Sequence, residues 1–246
     1  MIRLALLALT IGLTILTSRS GVAEADCDSG ATCNAAAKAA LENGDREAAL
    51  RAFLRQVDLA TGERRTNGND DALICDGFEN LARLSIALGK PLRGNAWGQV
   101  ARLKCMPNPD LQARAGDLRN MVAPDPIAGL YWSYAGYGQW SEMTLTDRGS
   151  GKFQVEWYVQ RYGLVPSADA YGPAALWQFE GPGERIDGRF TVRYDGVGLD
   201  GEGTPCALDF EVQPFALVVA TDLPTQCQNG GSSAYPRGTF WRVEAD

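Results

Sequence analysis

The chain has 246 residues, a formal net charge of −7 and no histidine. An acidic chain without a basic run lacks the electrostatic footprint of a nucleic-acid binder and is a poor match for anionic membrane surfaces. Without histidine, the Ser-His-Asp and Cys-His triads and the common zinc and haem ligand sets are excluded, so neither a metal nor a cofactor is expected.

Residues 1–25 read as a secretory signal peptide. Arg3 is the basic start, Leu4 to Leu16 the apolar stretch, and Ala23-Glu24-Ala25 a small-residue cleavage site. The apolar stretch is about thirteen residues, short of the roughly twenty that a bilayer-crossing helix needs. No later segment is long and apolar enough, so no membrane span is expected. Cleavage near Ala25 predicts a periplasmic or extracellular protein. Loss of Arg3, Arg19 and Glu24 with the leader makes the net charge one unit more negative. All six cysteines follow the cleavage site. An even count in an exported chain reads as three disulfides, for which fifteen pairings exist. With every cysteine paired, no thiolate nucleophile remains.

The mature chain divides at Pro124-Asp125-Pro126, which cannot continue a helix. Residues 26–123 form a helical domain, 124–127 a linker and 128–246 an antiparallel β domain, an α+β organisation. Helices are predicted at about 34–43 ending at Gly44, 46–60, 71–88 ending at Gly89, 92–104, and 111–121 with Asp110 as N-cap. Gly62 to Asp70 is predicted to be turn-rich. In an antiparallel hairpin of the third and fourth helices, Cys75 and Cys105 become neighbours and clamp its open end. Cys27 and Cys33 then close a small loop, unless one of them ties the N-terminus to Cys75.

Strands are predicted at about 128–134, 139–146, 152–160, 174–181, 186–195, 205–213, 215–221 and 237–243. Phe153, Val155, Trp157 and Val159 alternate with Gln154, Glu156, Tyr158 and Gln160, and Phe190, Val192 and Tyr194 repeat the pattern. Eight antiparallel strands favour a closed barrel or a two-sheet sandwich. Cys206 and Cys227 flank one strand and its hairpin partner and are expected to pair.

Two stretches resemble known families. Gly44-Asp45-Arg46-Glu47-Ala48-Ala49-Leu50-Arg51-Ala52-Phe53 resembles the turn and second helix of a tetratricopeptide or Sel1-like repeat, with a poorer copy from Gly89 through Ala96-Trp97 and Val100. The resemblance implies stacked helical hairpins that present a surface to a partner. The tail from Cys227 through Gly230-Gly231 to Gly238-Thr239-Phe240-Trp241-Arg242 resembles the last strand of small periplasmic β domains of lysozyme-inhibitor-like or lipocalin-like type. It implies a small barrel and carries over no functional residues.

The densest unusual feature is Tyr131-Trp132-Ser133-Tyr134-Ala135-Gly136-Tyr137-Gly138-Gln139-Trp140. Tyr131, Trp132, Tyr134, Tyr137 and Trp140 are candidate binding residues, because aromatic rings stack on sugars and anchor protein interfaces. Alternation puts Tyr131 on one strand face and Trp132 and Tyr134 on the other. Both faces cannot be barrel core, so some rings are exposed or covered by the helical half. The loop from Asp195 to Gly203, with Asp200 and Glu202, offers oxygen ligands without a calcium-loop spacing and reads as a plain hairpin loop. The stretch from Asn67 to Asp71 reads the same way. The strand carboxylates Glu142, Glu156, Glu180, Asp209 and Glu211 are expected to face solvent.

These features point to an exported, disulfide-stabilised, non-catalytic module that binds a protein or a cell-envelope component. The alternatives are a carboxylate-dependent hydrolase of envelope polysaccharide and an inhibitor of a secreted basic hydrolase such as lysozyme.

Overall fold

Among the described residues, four helices precede eight strands. The helices are α1 (Gly30–Glu42), α2 (Arg46–Asn67), α3 (Asp71–Ala87) and α4 (Pro91–Lys104). The strands are β1 (Gly129–Gly136), β2 (Gln139–Asp147), β3 (Lys152–Arg161), β4 (Ala175–Ile186), β5 (Arg189–Val197), β6 (Gly203–Gln213), β7 (Ala216–Val219) and β8 (Thr239–Ala245). The computed structural model describes residues 27–67, 71–105, 127–163, 172–197, 203–220 and 238–245, together with Ala168 and Cys227. The leader, the prolines at 124 and 126, the helix expected at 111–121 and residues 68–70 and 198–202 of the two acidic loops lie outside them.

Two helix boundaries differ from the sequence reading. Helix α1 starts at Gly30 rather than Asn34. Ser29 accepts the Thr32 N–H through its hydroxyl, and its own N–H donates to Thr32 Oγ1, a capping box that satisfies two end donors. Helix α2 runs to Asn67 rather than stopping near Ala60. Its polar residues bond along the helix or to α1: Thr61 donates to the Val57 carbonyl, Thr66 to that of Gly62, and Glu63 accepts the Gly30 N–H. The segment's hydroxyls and carboxylate are thus satisfied on the helix and its neighbour, so polarity alone was a misleading sign of a turn.

Consecutive helices pack side by side. Apolar residues at helical spacing, among them Ala49, Phe53, Val57, Phe78, Leu81 and Trp97, bury their side chains between them. Cys75 bonds to Cys105 across the α3–α4 hairpin, Cys27, ahead of α1, to Cys33 near the start of α1, and Cys206 to Cys227 in the β half.

The strands close into a barrel in sequence order, every neighbour antiparallel, with β8 joining β1. It is a barrel and not a sandwich. Alternate residues point inward and fill it: Met143, Leu145, Val155, Trp157, Phe190, Leu208, Phe210, Leu217 and Phe240 are all buried together. Arg242 is buried at the base, donating to the Ala128 carbonyl with its guanidinium 5.9 Å from the Tyr131 ring centroid.

Strand β4 runs unbroken through Gly181-Pro182-Gly183, where a break was expected. A Cβ on Gly183 would come within 2.5 Å of the Phe190 ring and 2.8 Å of Val155. The glycine is there because β3 and β5 side chains fill its place, not to turn the chain.

The helices cover one side of the barrel. The outward residues of β8, β1 and β2, namely Trp241, Val243, Leu130, Trp132, Tyr134 and Trp140, share one apolar cluster with α2, α3 and α4. Two polar ties reinforce the seating. Buried Asp58 on α2 accepts the Ala168 N–H at 2.7 Å and pairs with Arg55 at 2.8 Å, and Arg93 on α4 pairs with Glu244 on β8.

Candidate functional site

The five aromatic candidates divide by strand alternation. Tyr131 points into the barrel, where its hydroxyl donates to the Ile127 carbonyl at 2.7 Å. Burial pushes its pKa up to about 12, against the opposing pull of Arg242. Trp132, Tyr134 and Trp140 point outward into the helices. Trp140 lies 4.7 Å edge-on from Trp97 and 5.2 Å stacked on Trp132, and Tyr134 meets Phe78 edge-on at 5.4 Å. Such contacts contribute about 0.5–1.5 kcal/mol per pair beyond area burial. Burial raises the Tyr134 hydroxyl well above the ordinary tyrosine value, although it accepts the Gly138 N–H. Tyr137 is buried in the β1–β2 turn at φ 54°, followed by Gly138 at φ 73°, the two-residue hairpin geometry that usually selects Asn-Gly. Its ring lies beneath Arg65 of α2, at 5.5 Å. Tyr131, Tyr137 and Trp140 are buried, and Trp132 and Tyr134 half-buried.

Among the described residues, an open surface lies across the barrel, between β4 and β5. These strands are paired only from Gly183↔Val192 to Ile186↔Arg189. Beyond that they part, while β4 stays paired with β3 as far as Ala175 and β5 with β6 as far as Val197. Pro182 stands where the pairing stops. The Arg185 N–H donates to the Gly151 carbonyl toward β3, so the even-numbered residues of β4 turn their peptide groups toward β5. The next donor required after Glu184 is therefore residue 182, and proline has none.

The parted seam is a groove of about 780 Å³. Its floor is aromatic: Trp177 stacks on Phe179 at 5.9 Å and 8°, and Tyr194 touches both at 5.5 and 5.6 Å. The Tyr194 hydroxyl donates to the Cys227 carbonyl at 2.6 Å, and burial raises its pKa to about 12. The Cys206–Cys227 disulfide thus anchors the floor. Gln178 and Glu180 form one wall, and Arg193 and Ala207 the other, all exposed.

A second groove of about 430 Å³ adjoins it on the outer face of β2, β3 and β4, sharing Gln178, Phe179 and Glu180. It gathers three of the sequence-predicted carboxylates, Glu142, Glu156 and Glu180, all exposed. Glu156 and Glu180 stand directly opposite each other on neighbouring strands. Asp209 lies apart, accepting the Thr191 hydroxyl at 2.6 Å, and Glu211 is exposed on β6. Among the described residues, no group of three or more acidic or cysteine side chains is arranged to hold a metal ion.

Sequence reasoning missed Trp177, Phe179, Tyr194 and Arg193 as surface-forming residues: Tyr194 was read only as strand alternation, and the others only fell within predicted strands. The available signal was Pro182 inside a β run, which marks a strand edge.

Compared with known proteins, the chain matches no family model and no curated sequence. Fold and site therefore define the class: a disulfide-bonded, closed eight-stranded antiparallel barrel, preceded, among the described residues, by four helices of which α2, α3 and α4 pack on its wall.

Proposed function

We propose that the protein is an exported, non-catalytic binding module for a protein or cell-envelope component, and that its binding surface is the β4–β5 seam. The observation that carries this reading is the seam itself: an aromatic floor with polar walls, beginning where β4–β5 pairing stops at Pro182. The leader-like N-terminus and three disulfides support export to an oxidising compartment. The run from Tyr131 to Trp140 is spent on barrel core and helix packing, so the seam takes the binding role in its place. Hydrolysis of a polysaccharide uses two carboxyls with a sugar between them. Glu156 and Glu180 stand side by side on one exposed face instead.

The test is site-directed photo-crosslinking of the full chain in envelope extract. A crosslinking side chain at Gln178, on the seam wall, is expected to capture a discrete component. One at Lys38, exposed on α1, is expected to capture none. Equal labelling at both positions, or none at Gln178, overturns the reading.

A further inference from the structure

We infer that the seam accepts an extended segment of a partner protein, added as a strand to the open edge of β4, in which apolar and basic residues alternate. The inference rests on the seam being the binding surface and names its occupant.

Three observations select an extended polypeptide. The peptide groups of Leu176, Gln178 and Glu180 turn toward the gap, by the same alternation that turns Glu184 and Ile186 toward their β5 partners. The Arg193 peptide turns toward the gap from the β5 side, because the Val212 N–H donates to the Gly188 carbonyl and so commits the even residues of β5 to β6. Among the described residues, no strand pairs with either stretch. A row of main-chain donors and acceptors is what strand addition recognises.

The alternation of the occupant follows from the two sides of the seam. Its inward side chains meet Trp177, Phe179 and Tyr194 and are therefore apolar. Its outward side chains lie beside Glu180, with Glu156 directly across from Glu180 and Glu142 in the same groove. Like charges placed directly opposite on neighbouring strands destabilise a sheet. Within this cluster Gln154 gives Glu180 one amide donor, at 3.3 Å. A lysine or arginine from the occupant supplies the missing counter-charge. Arg193 belongs to the opposite wall and Arg161 to the far end of β3, so the outward basic residues of the added strand answer the carboxylates of β2, β3 and β4.

The test uses full-length protein and three capped octapeptides: alternating valine and lysine, alternating valine and glutamate, and the valine–lysine peptide N-methylated at alternate residues. The valine–lysine peptide is expected to bind and to slow amide exchange at Leu176, Gln178, Glu180 and Arg193 at least tenfold. The N-methylated peptide is expected to lose at least tenfold in affinity, because its edge donors are gone. The double variant Glu156→Lys with Glu180→Lys, both on the surface, should reverse the preference toward the valine–glutamate peptide. Binding unaffected by N-methylation, or protection elsewhere in the chain, overturns strand addition. So does a chitin oligosaccharide shifting the Trp177 and Phe179 resonances while no peptide binds. If the peptides fail but crosslinking from Gln178 persists, strand addition falls and the binding-module reading stands. If both fail, both fall.

Discussion

Two stretches of one barrel wall carry similar aromatic side chains and have opposite fates. On β8, β1 and β2, Trp241, Trp132, Tyr134 and Trp140 point outward and are covered by α2, α3 and α4. On β4 and β5, Trp177, Phe179 and Tyr194 point inward, and the backbone above them is parted. The first stretch is closed by a second layer of structure. The second, among the described residues, has no such layer, and its strand pairing stops beside Pro182, which has no N–H to give. Aromatic density in a sequence therefore marks where burial is large, not where a surface is available. What exposes a surface here is an interruption in hydrogen bonding.

The contrast can be broken most forcefully at the covered wall. Trp140→Ala removes the ring that joins Trp97, Trp132 and Tyr134, and should cost about 3–5 kcal/mol in urea unfolding. Phe179→Ala on the open floor should cost less, because Phe179 is only partly buried. Cys75→Ser with Cys105→Ser frees a loop with a sequence separation of 30 and should lower stability by about 3 kcal/mol. That loss should appear first as faster amide exchange in α3 and α4, with the barrel amides following only at global unfolding.

Alkaline pH tests the covered wall from its two faces. Tyr131 inside the barrel and Tyr134 beneath the helices both have raised pKa values in the folded state. The unfolded chain ionises its tyrosines near pH 10, so the stability these two contribute is fully present below that pH. It is lost as pH rises toward the folded values, at up to about 1.4 kcal/mol per pH unit for each tyrosine. Urea titrations between pH 9 and 12, with phenolate absorbance followed in parallel, should show unfolding preceding the ionisation of these two groups. The smallest effect belongs to the seam. Pro182→Val restores a donor opposite β5 and should add one net hydrogen bond, about 0.5–1.5 kcal/mol. The check is protection of the new Val amide against exchange, accompanied by weaker binding at the groove.

Much of the fold was legible because its signals are local. The alternation of Phe153, Val155, Trp157 and Val159 fixed β3 and its inward face. Gly44 and Gly89 marked helix ends through their left-handed backbone, φ 78° and 74°. Cys75–Cys105 and Cys206–Cys227 followed from hairpin geometry, whereas Cys27–Cys33 was one of two readings. Errors arose where a residue's role depends on a distant partner. Glu63 is helical partly because Gly30 needs an acceptor, and Gly183 lies within a strand because Phe190 fills the space over it. The candidate site was the least legible part. Whether Pro182 opens a seam depends on which strand lies beside it and in which register, and neither is written near residue 182.

The β1–β2 turn has a consequence for engineering the chain. Tyr137 holds a backbone conformation that costs an ordinary side chain about 1–2 kcal/mol, and the burial that offsets the cost is shared with α2. The barrel is therefore not a portable part. Grafted onto another protein without its helices, it would carry a strained hairpin beside a bare stripe of tryptophans. A fusion that respects the molecule would keep both halves and attach its cargo elsewhere.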